Sequence, residues 1–109
     1  MKATVTIHAG VCGFVTEATA NSPDQQHVEF AITSPCEKIQ GLAGILPVVD
    51  AYAEIGAGFE GEFHRAVRSA LSGCCSGCAV PIGLFKAMQV AASLALPASV
   101  SMELERVKQ

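Results

Sequence analysis

Three of the chain's five cysteines lie within five residues, in the stretch SGCCSGC that runs from Ser72 to Cys78. Cys75 and Cys78 form a C-x-x-C pair, a spacing with which two sulfurs commonly bind one metal ion or form a redox dithiol. Gly77 lets the backbone between them turn, so that both sulfurs can point at one ion. The stretch therefore indicates metal, cluster or thiol chemistry.

A disulfide framework explains these cysteines poorly. An odd number of cysteines leaves at least one thiol unpaired in any pairing scheme. The N-terminal stretch MKATVTIHAG alternates polar and apolar residues and lacks the continuous apolar run of a secretory signal, so we expect a cytoplasmic protein. Because cytosolic thiols are normally kept reduced, metal or thiol chemistry is the better class of explanation.

The composition limits the partners. With 109 residues, the chain is expected to form a single cysteine-rich domain over residues 1–109. A net charge of −3 argues against nucleic acid or an anionic membrane as the main partner. No apolar run approaches the roughly 20 residues that span a bilayer.

The N-terminal third reads as a β-meander. Alternating patterns predict three short strands at Thr4–Ala9, Phe14–Ala20 and His27–Thr33. Asn21–Asp24 carries a strong turn signal between the second and third strands. Short connections of this kind favour an antiparallel arrangement.

Helical patterns follow the strands. Ser34, Pro35 and Glu37 predict a capping box, with Ser34 as the N-cap of the first helix. Three further helices and a final strand are predicted, at Val48–Ile55, Phe63–Leu71, about 79–96 and Val100–Val107. We therefore expect an α+β fold with two layers: a three-stranded antiparallel meander, about four helices on one face and a C-terminal strand that rejoins the sheet. The last helix is so apolar that it is either central in the core or covered by a second subunit.

Relative to these predicted strands and helices, the other two cysteines also lie at junctions between elements. Cys12 lies in the loop after the first strand, Cys36 lies in the first turn of the first helix, and Cys75 and Cys78 precede the last helix. Strand ends and helix starts on the same edge of a two-layer domain can converge in space. Helix N-termini also stabilise thiolates, the form of cysteine that binds metals. Tetrahedral zinc, or the iron of an iron–sulfur cluster, takes about four such ligands. These four cysteines are the predicted ligands, and Cys74 is left over.

The order of elements and the cysteine positions resemble the IscU/NifU-like scaffold proteins of iron–sulfur cluster assembly. In that family one cysteine lies between the first two strands, a second begins the helix after the third strand, and a third begins a late helix. Cys12, followed by Gly13, matches the first, Cys36 the second and Cys78 the third. The resemblance implies metal or cluster binding, with a sulfur-transfer or electron-transfer protein as partner.

Two positions depart from the family's pattern. Phe14 stands where the family has an acidic residue, and Gly77 stands where a histidine is common. Cys75 can supply the fourth ligand instead, which gives an all-cysteine site. Because four thiolates saturate a tetrahedral ion, a hydrolytic enzyme is not expected.

Other interpretations of the cysteines remain open. Zinc and an iron–sulfur cluster accept the same four thiolates, so the residues do not choose between them. Cys75 and Cys78 are also typical of a redox pair, and Cys78 of a persulfide carrier. A third alternative is an interaction module that forms a homodimer through its apolar last helix. His64 is expected on the polar surface of the third helix instead of at a site.

Overall fold

A computed structural model describes residues 1–73 and 76–108 of the chain. Within these residues the chain forms four strands and four α-helices. They are β1 (Lys2–His8), β2 (Val15–Asn21), β3 (His27–Thr33), α1 (Glu37–Ile45), β4 (Val49–Asp50), α2 (Ala51–Ala57), α3 (Glu62–Leu71) and α4 (Val80–Ala91). A short 3₁₀ turn, Gly58–Glu60, lies between α2 and α3. The predicted α+β class, with a three-stranded antiparallel meander and four helices packed on the sheet, is confirmed.

The sheet is a meander in the order β1-β2-β3-β4, in which every pair is antiparallel. β1 and β2 pair along their full length, from Lys2 opposite Asn21 to His8 opposite Val15. The alternation in β1 turns Ala3 and Ile7 into the core, while the residues between them are more exposed. This register fixes which loops leave the sheet at the same end.

The apolar last helix, α4, packs across β1 and β2. Its buried side chains follow the i, i+4, i+7, i+8, i+11 pattern of one helix face: Val80, Leu84, Ala87, Met88 and Ala91. Gly83 allows close contact with the sheet, because a Cβ at this position would lie 2.6 Å from Ile7 Cγ1. Packing in the core of one chain therefore accounts for most of the helix's apolar character.

Phe63 of α3 connects the helices to the sheet. Its side chain is fully buried, and its ring centroid lies 5.7 Å from that of Phe30 in β3 and 5.4 Å from that of Phe85 in α4. α3 also packs against α1, which in turn contacts β3. Aromatic pairs at these separations add to the stabilisation from burial alone.

The predicted C-terminal strand over Val100–Val107 is wrong for the single chain. Residues 95–108 contain no strand, and Leu104 is 97% exposed. An alternating sequence forms a stable strand only where a neighbouring strand completes its hydrogen bonds, and this segment has no such neighbour among the described residues. The fourth strand is instead Val49–Asp50, which pairs with the start of β3.

The second helix begins later than predicted. Val48 was expected to start it, but Val49 and Asp50 first pair with β3. Asp50 then acts as the N-cap of α2, because its Oδ1 accepts a hydrogen bond from the backbone N–H of Ala53 at 3.1 Å. Among the described residues no helix is long and apolar enough to cross a membrane.

Candidate metal centre

The cysteine-bearing segments leave the fold at one end of the sheet, which we call the cysteine end. β1 ends here at His8, opposite Val15 at the start of β2. β3 ends here as well, since Thr33 lies opposite Glu17. The β1–β2 loop and the segment between β3 and α1 are therefore neighbours in the structure.

Cys12 lies on the exposed β1–β2 loop. Gly10 and Gly13 flank it with φ values of 86° and 74°, a backbone region that favours glycine. The N–H of Gly13 donates to the carbonyl of Gly10 at 2.9 Å, and the N–H of Ala9 donates to the carbonyl of Phe14 at 3.1 Å. These bonds close a tight turn that presents the Cys12 thiol to solvent.

Cys36 is the N-cap of α1, and the predicted capping box is wrong. The helix begins at Glu37. Cys36 has an extended backbone, and its side chain makes no capping hydrogen bond. Ser34, the expected N-cap, instead accepts hydrogen bonds from the Cys36 N–H at 3.2 Å and from Thr16 Oγ1 at 2.8 Å. Because Thr16 is buried in β2, these bonds fix the half-buried Cys36 to the cysteine end of the sheet.

Cys78 directly precedes Ala79, the N-cap of α4. The direction of α4 places this start at the cysteine end: Gly83 lies against Ile7 near the end of β1, whereas Ser93 Oγ, beyond the helix, lies 3.8 Å from Met1 Sδ at the opposite end. The half-buried Cys78 packs against the core.

The three cysteines described by the structure thus come from different elements and lie at one end. Cys75, the fourth predicted ligand, and Cys74 lie outside the described residues. Within residues 1–73 and 76–108, no three His, Cys, Asp or Glu side chains lie close enough together to hold a metal ion. The four-cysteine site therefore stays a prediction.

The clearest electrostatic interactions lie at the opposite end, in the β2–β3 turn. His27 Nδ1 lies 2.7 Å from Asp24 Oδ2, and this hydrogen bond raises the pKa of His27 and lowers the pKa of Asp24. The hydrogen bond from Gln26 Nε2 to Asp50 Oδ2, at 2.7 Å, lowers the pKa of Asp50. These groups stabilise the turn and the start of α2.

His64 lies in an aromatic cluster that the sequence did not predict. Its ring centroid is 5.0 Å from that of Phe59, 5.2 Å from that of Phe63 and 5.1 Å from that of Phe85. Its Nδ1 is buried and has no hydrogen-bond partner among the described residues. Helical periodicity misses this cluster, because Phe59 precedes the helix and Phe85 comes from another one.

Comparison with known proteins gives a match to a protein family. No curated protein and no solved structure matches the chain. The resemblance to IscU/NifU-like scaffolds therefore rests on element order and cysteine placement alone. The model of a family of unknown function, DUF6951, matches residues 3–104. Since this match spans nearly the whole chain, the protein belongs to the DUF6951 family.

Proposed function

We propose that the protein binds a zinc ion or a small iron–sulfur cluster through Cys12, Cys36, Cys75 and Cys78. The observation that carries the proposal is the common position of the three described cysteine segments at one end of the sheet. Thiolates are soft ligands that favour zinc and iron–sulfur clusters over hard cations. The resemblance to cluster scaffolds is part of this proposal.

The exposure of Cys12 favours an exchangeable site over a sealed one. Structural zinc sites are normally closed by their ligands, whereas the Cys12 thiol is open to solvent. Because the described cysteines are not grouped closely enough to hold a metal ion together, binding requires the segments that carry Cys12, Cys36 and Cys78 to move closer to one another. We therefore propose carriage of a metal or cluster in the reducing cytosol, received from or passed to a sulfur-transfer or electron-transfer protein.

Metal content tests the proposal directly. Protein purified without oxygen should contain about one metal site per chain, measured by elemental analysis. Visible absorption from iron–sulfide charge transfer identifies a cluster, and its absence in zinc-loaded protein identifies zinc. Protein that carries neither metal stoichiometrically, even after incubation with zinc or after cluster reconstitution, would contradict the proposal.

Serine variants identify the ligands. Changing Cys12, Cys36, Cys75 or Cys78 to serine one at a time should lower the metal content. Cys74→Ser is the matched control, since it removes a thiol from the same stretch and should leave the metal content unchanged. An equal loss in all five variants would show that the assignment of ligands is wrong.

Thiol chemistry is the second candidate function. Ser76 and Gly77, inside the C-x-x-C pair, are both exposed, so another protein can reach these two residues. In this case Cys75 and Cys78 transfer two electrons and two protons to a partner's disulfide and become a disulfide themselves. Metal-free protein should then show rapid alkylation of one cysteine and a reversible Cys75–Cys78 disulfide. Uniformly slow labelling of all cysteines would exclude this alternative.

A further inference from the structure

We infer that residues 99–105 of one chain add as a fifth strand to the free edge of β1 in a second copy of the chain. The C-terminal segment carries large apolar side chains at every second position, and none of them is packed. Val100 is 56% exposed and Met102 is 69% exposed, and the polar residues Ser99 and Ser101 alternate with them. Because burial of apolar side chains stabilises a protein, this exposed row favours contact with another surface.

β1 offers a matching edge. Within the described part of the chain this strand pairs with β2 only, and its other edge has no neighbouring strand. The strand is seven residues long, as is the segment 99–105, and it contains no proline. Long regular edges readily accept another strand unless charges, prolines or bulges protect them, and here only Lys2, at the start of the strand, adds a fixed charge.

The apolar residues of β1 and those of the C-terminal segment have the same spacing. Ala3, Val5 and Ile7 of β1 face the helical layer at every second position, and the apolar residues of the C-terminal segment repeat at the same interval. A strand added beside β1 would therefore extend this face beneath the flank of α4. Val90 follows Gly83 by two turns, so it lies on the same side of α4, and it is only half-buried. The added apolar side chains would complete its burial.

A symmetric pair of chains can pair both the C-terminal segment and the free edge of β1 at once. The C-terminal segment leaves the region of Met1, where Ser93 lies close to the start of β1, and the single chain extends to 50 Å in one direction against 27 and 25 Å in the others. In a two-fold symmetric pair each chain gives one strand and receives one, so the assembly closes at two copies. The DUF6951 match over residues 3–104 includes β1 except for Lys2, and it includes the apolar positions 100, 102 and 104 of the segment.

The test compares two lysine substitutions at adjacent positions. Under reducing conditions, light scattering of the chromatographically purified protein at micromolar concentration should give about twice the chain mass of 11.3 kDa. Met102→Lys places a charge on the apolar side of the added strand and should weaken the dimer more than about tenfold. Ser101→Lys adds the same charge on the opposite side and should leave the dimer intact.

Further measurements separate other arrangements. Ile82→Lys, on the exposed side of α4, should not affect the dimer, but it would dissociate one that forms through this helix. Hydrogen exchange should show slow amides in residues 99–105 and at the β1 positions that face the free edge, and these should become fast in Met102→Lys, whereas the β1 amides bonded to β2 should stay slow. A monomer at all concentrations would overturn the inference, even if its C-terminal segment pairs with its own β1. A dimer that survives Met102→Lys would overturn it as well.

Discussion

The carboxylate of Glu54 in α2 accepts a hydrogen bond at 2.8 Å from the backbone N–H of Phe63, in the first turn of α3. The other carboxylate oxygen accepts from the N–H of Glu62 at 3.1 Å. Glu54 is only 3% exposed. A side chain from one helix thus caps the next, and it fixes the position of Phe63 between the sheet and α4.

Glu54→Ala should lower the free energy of unfolding by about 2–4 kcal/mol, because it leaves two backbone N–H groups near the core without an acceptor. Glu54→Gln should cost less, since its amide oxygen still accepts one of the two bonds. Urea unfolding followed by circular dichroism gives both values. Glu60→Ala, an exposed acid in the adjacent turn, is the control and should have little effect. Equal stability of all three variants would contradict this role for Glu54.

Gly61→Ala should also destabilise the protein, and the effect should depend on Glu54. A Cβ at residue 61 would lie 2.9 Å from Glu54 Cδ, so the carboxylate must leave its position as the cap. The backbone of Gly61 itself suits any residue, with φ of −75°. The three atoms nearest to this Cβ all belong to the Glu54 carboxylate, so Gly61→Ala should cost much less in Glu54→Ala protein. Additive effects in this double-mutant cycle would show that the two residues act independently.

Gly83→Ala should lower the free energy of unfolding by about 1–3 kcal/mol through crowding between α4 and β1. The new methyl group would lie 2.6 Å from Ile7 Cγ1 and 2.7 Å from its Cδ1. Alanine favours a helix over glycine by about 1 kcal/mol, so the crowding must exceed this gain. Gly41→Ala in α1 is the matched control: a Cβ there meets no atom within 4 Å, and the variant should be more stable than the wild type.

The outline of the fold could be predicted from sequence because its elements have strong local patterns. The alternation in β1 and the helical period around Phe63 specify both the element type and the buried face. The C-terminal segment has an equally clear alternation, but whether it becomes a strand depends on a partner edge that no local pattern reveals. The start of α1 was misplaced for a related reason: Ser34 bonds to Thr16, which is distant in sequence.

The candidate site was predictable only in part. Topology places the segments of Cys12, Cys36 and Cys78 at one end of the domain, as the junction positions suggested. Sequence spacing does not give the distances between thiols, and these depend on the conformation of the β1–β2 loop. The cap between Glu54 and α3 was missed, because it joins residues of two helices across a turn.

The ion pair in the β2–β3 turn should appear in a pH titration. The hydrogen bond to Asp24 raises the pKa of His27 above its usual 6.5, so the stabilisation from the charged ring is present below pH 6.5 and is lost as the pH rises through the raised pKa. The pKa of Asp24 is lowered from 3.8, so its contribution is present above that pH and is lost as the pH falls through the lowered value. The pair therefore stabilises the turn most between about pH 4 and 6.5.

NMR titration of the His27 ring checks this assignment. Asp24→Asn should lower the pKa of His27 towards 6.5, because the amide carries no charge. Asp50→Asn should lower it less, since Asp50 acts on the ring only through a weaker electrostatic interaction. Since both partners are exposed, solvent screening keeps the effect on overall stability small. A larger effect from Asp50→Asn would mean that the partner of His27 is misassigned.

Cys36→Ser should separate the fold from the proposed metal site. Cys36 is the N-cap of α1 but provides no side-chain hydrogen bond, whereas serine is among the best N-cap residues and is typically better than alanine by about 1 kcal/mol. The capping hydrogen bond of the serine hydroxyl offsets the lost packing of the half-buried sulfur. Metal-free Cys36→Ser should therefore unfold at nearly the same urea concentration as the wild type. Its metal content should nevertheless fall.

Cys36→Ala completes this comparison. It removes the same sulfur and offers no cap, so it should be about 1 kcal/mol less stable than Cys36→Ser while losing metal to the same extent. Equal metal loss at unequal stability would show that the thiol acts as a ligand and not only through the integrity of α1. If metal content followed stability across the two variants instead, Cys36 would have a structural role, and the ligand set would have to be sought among the other cysteines.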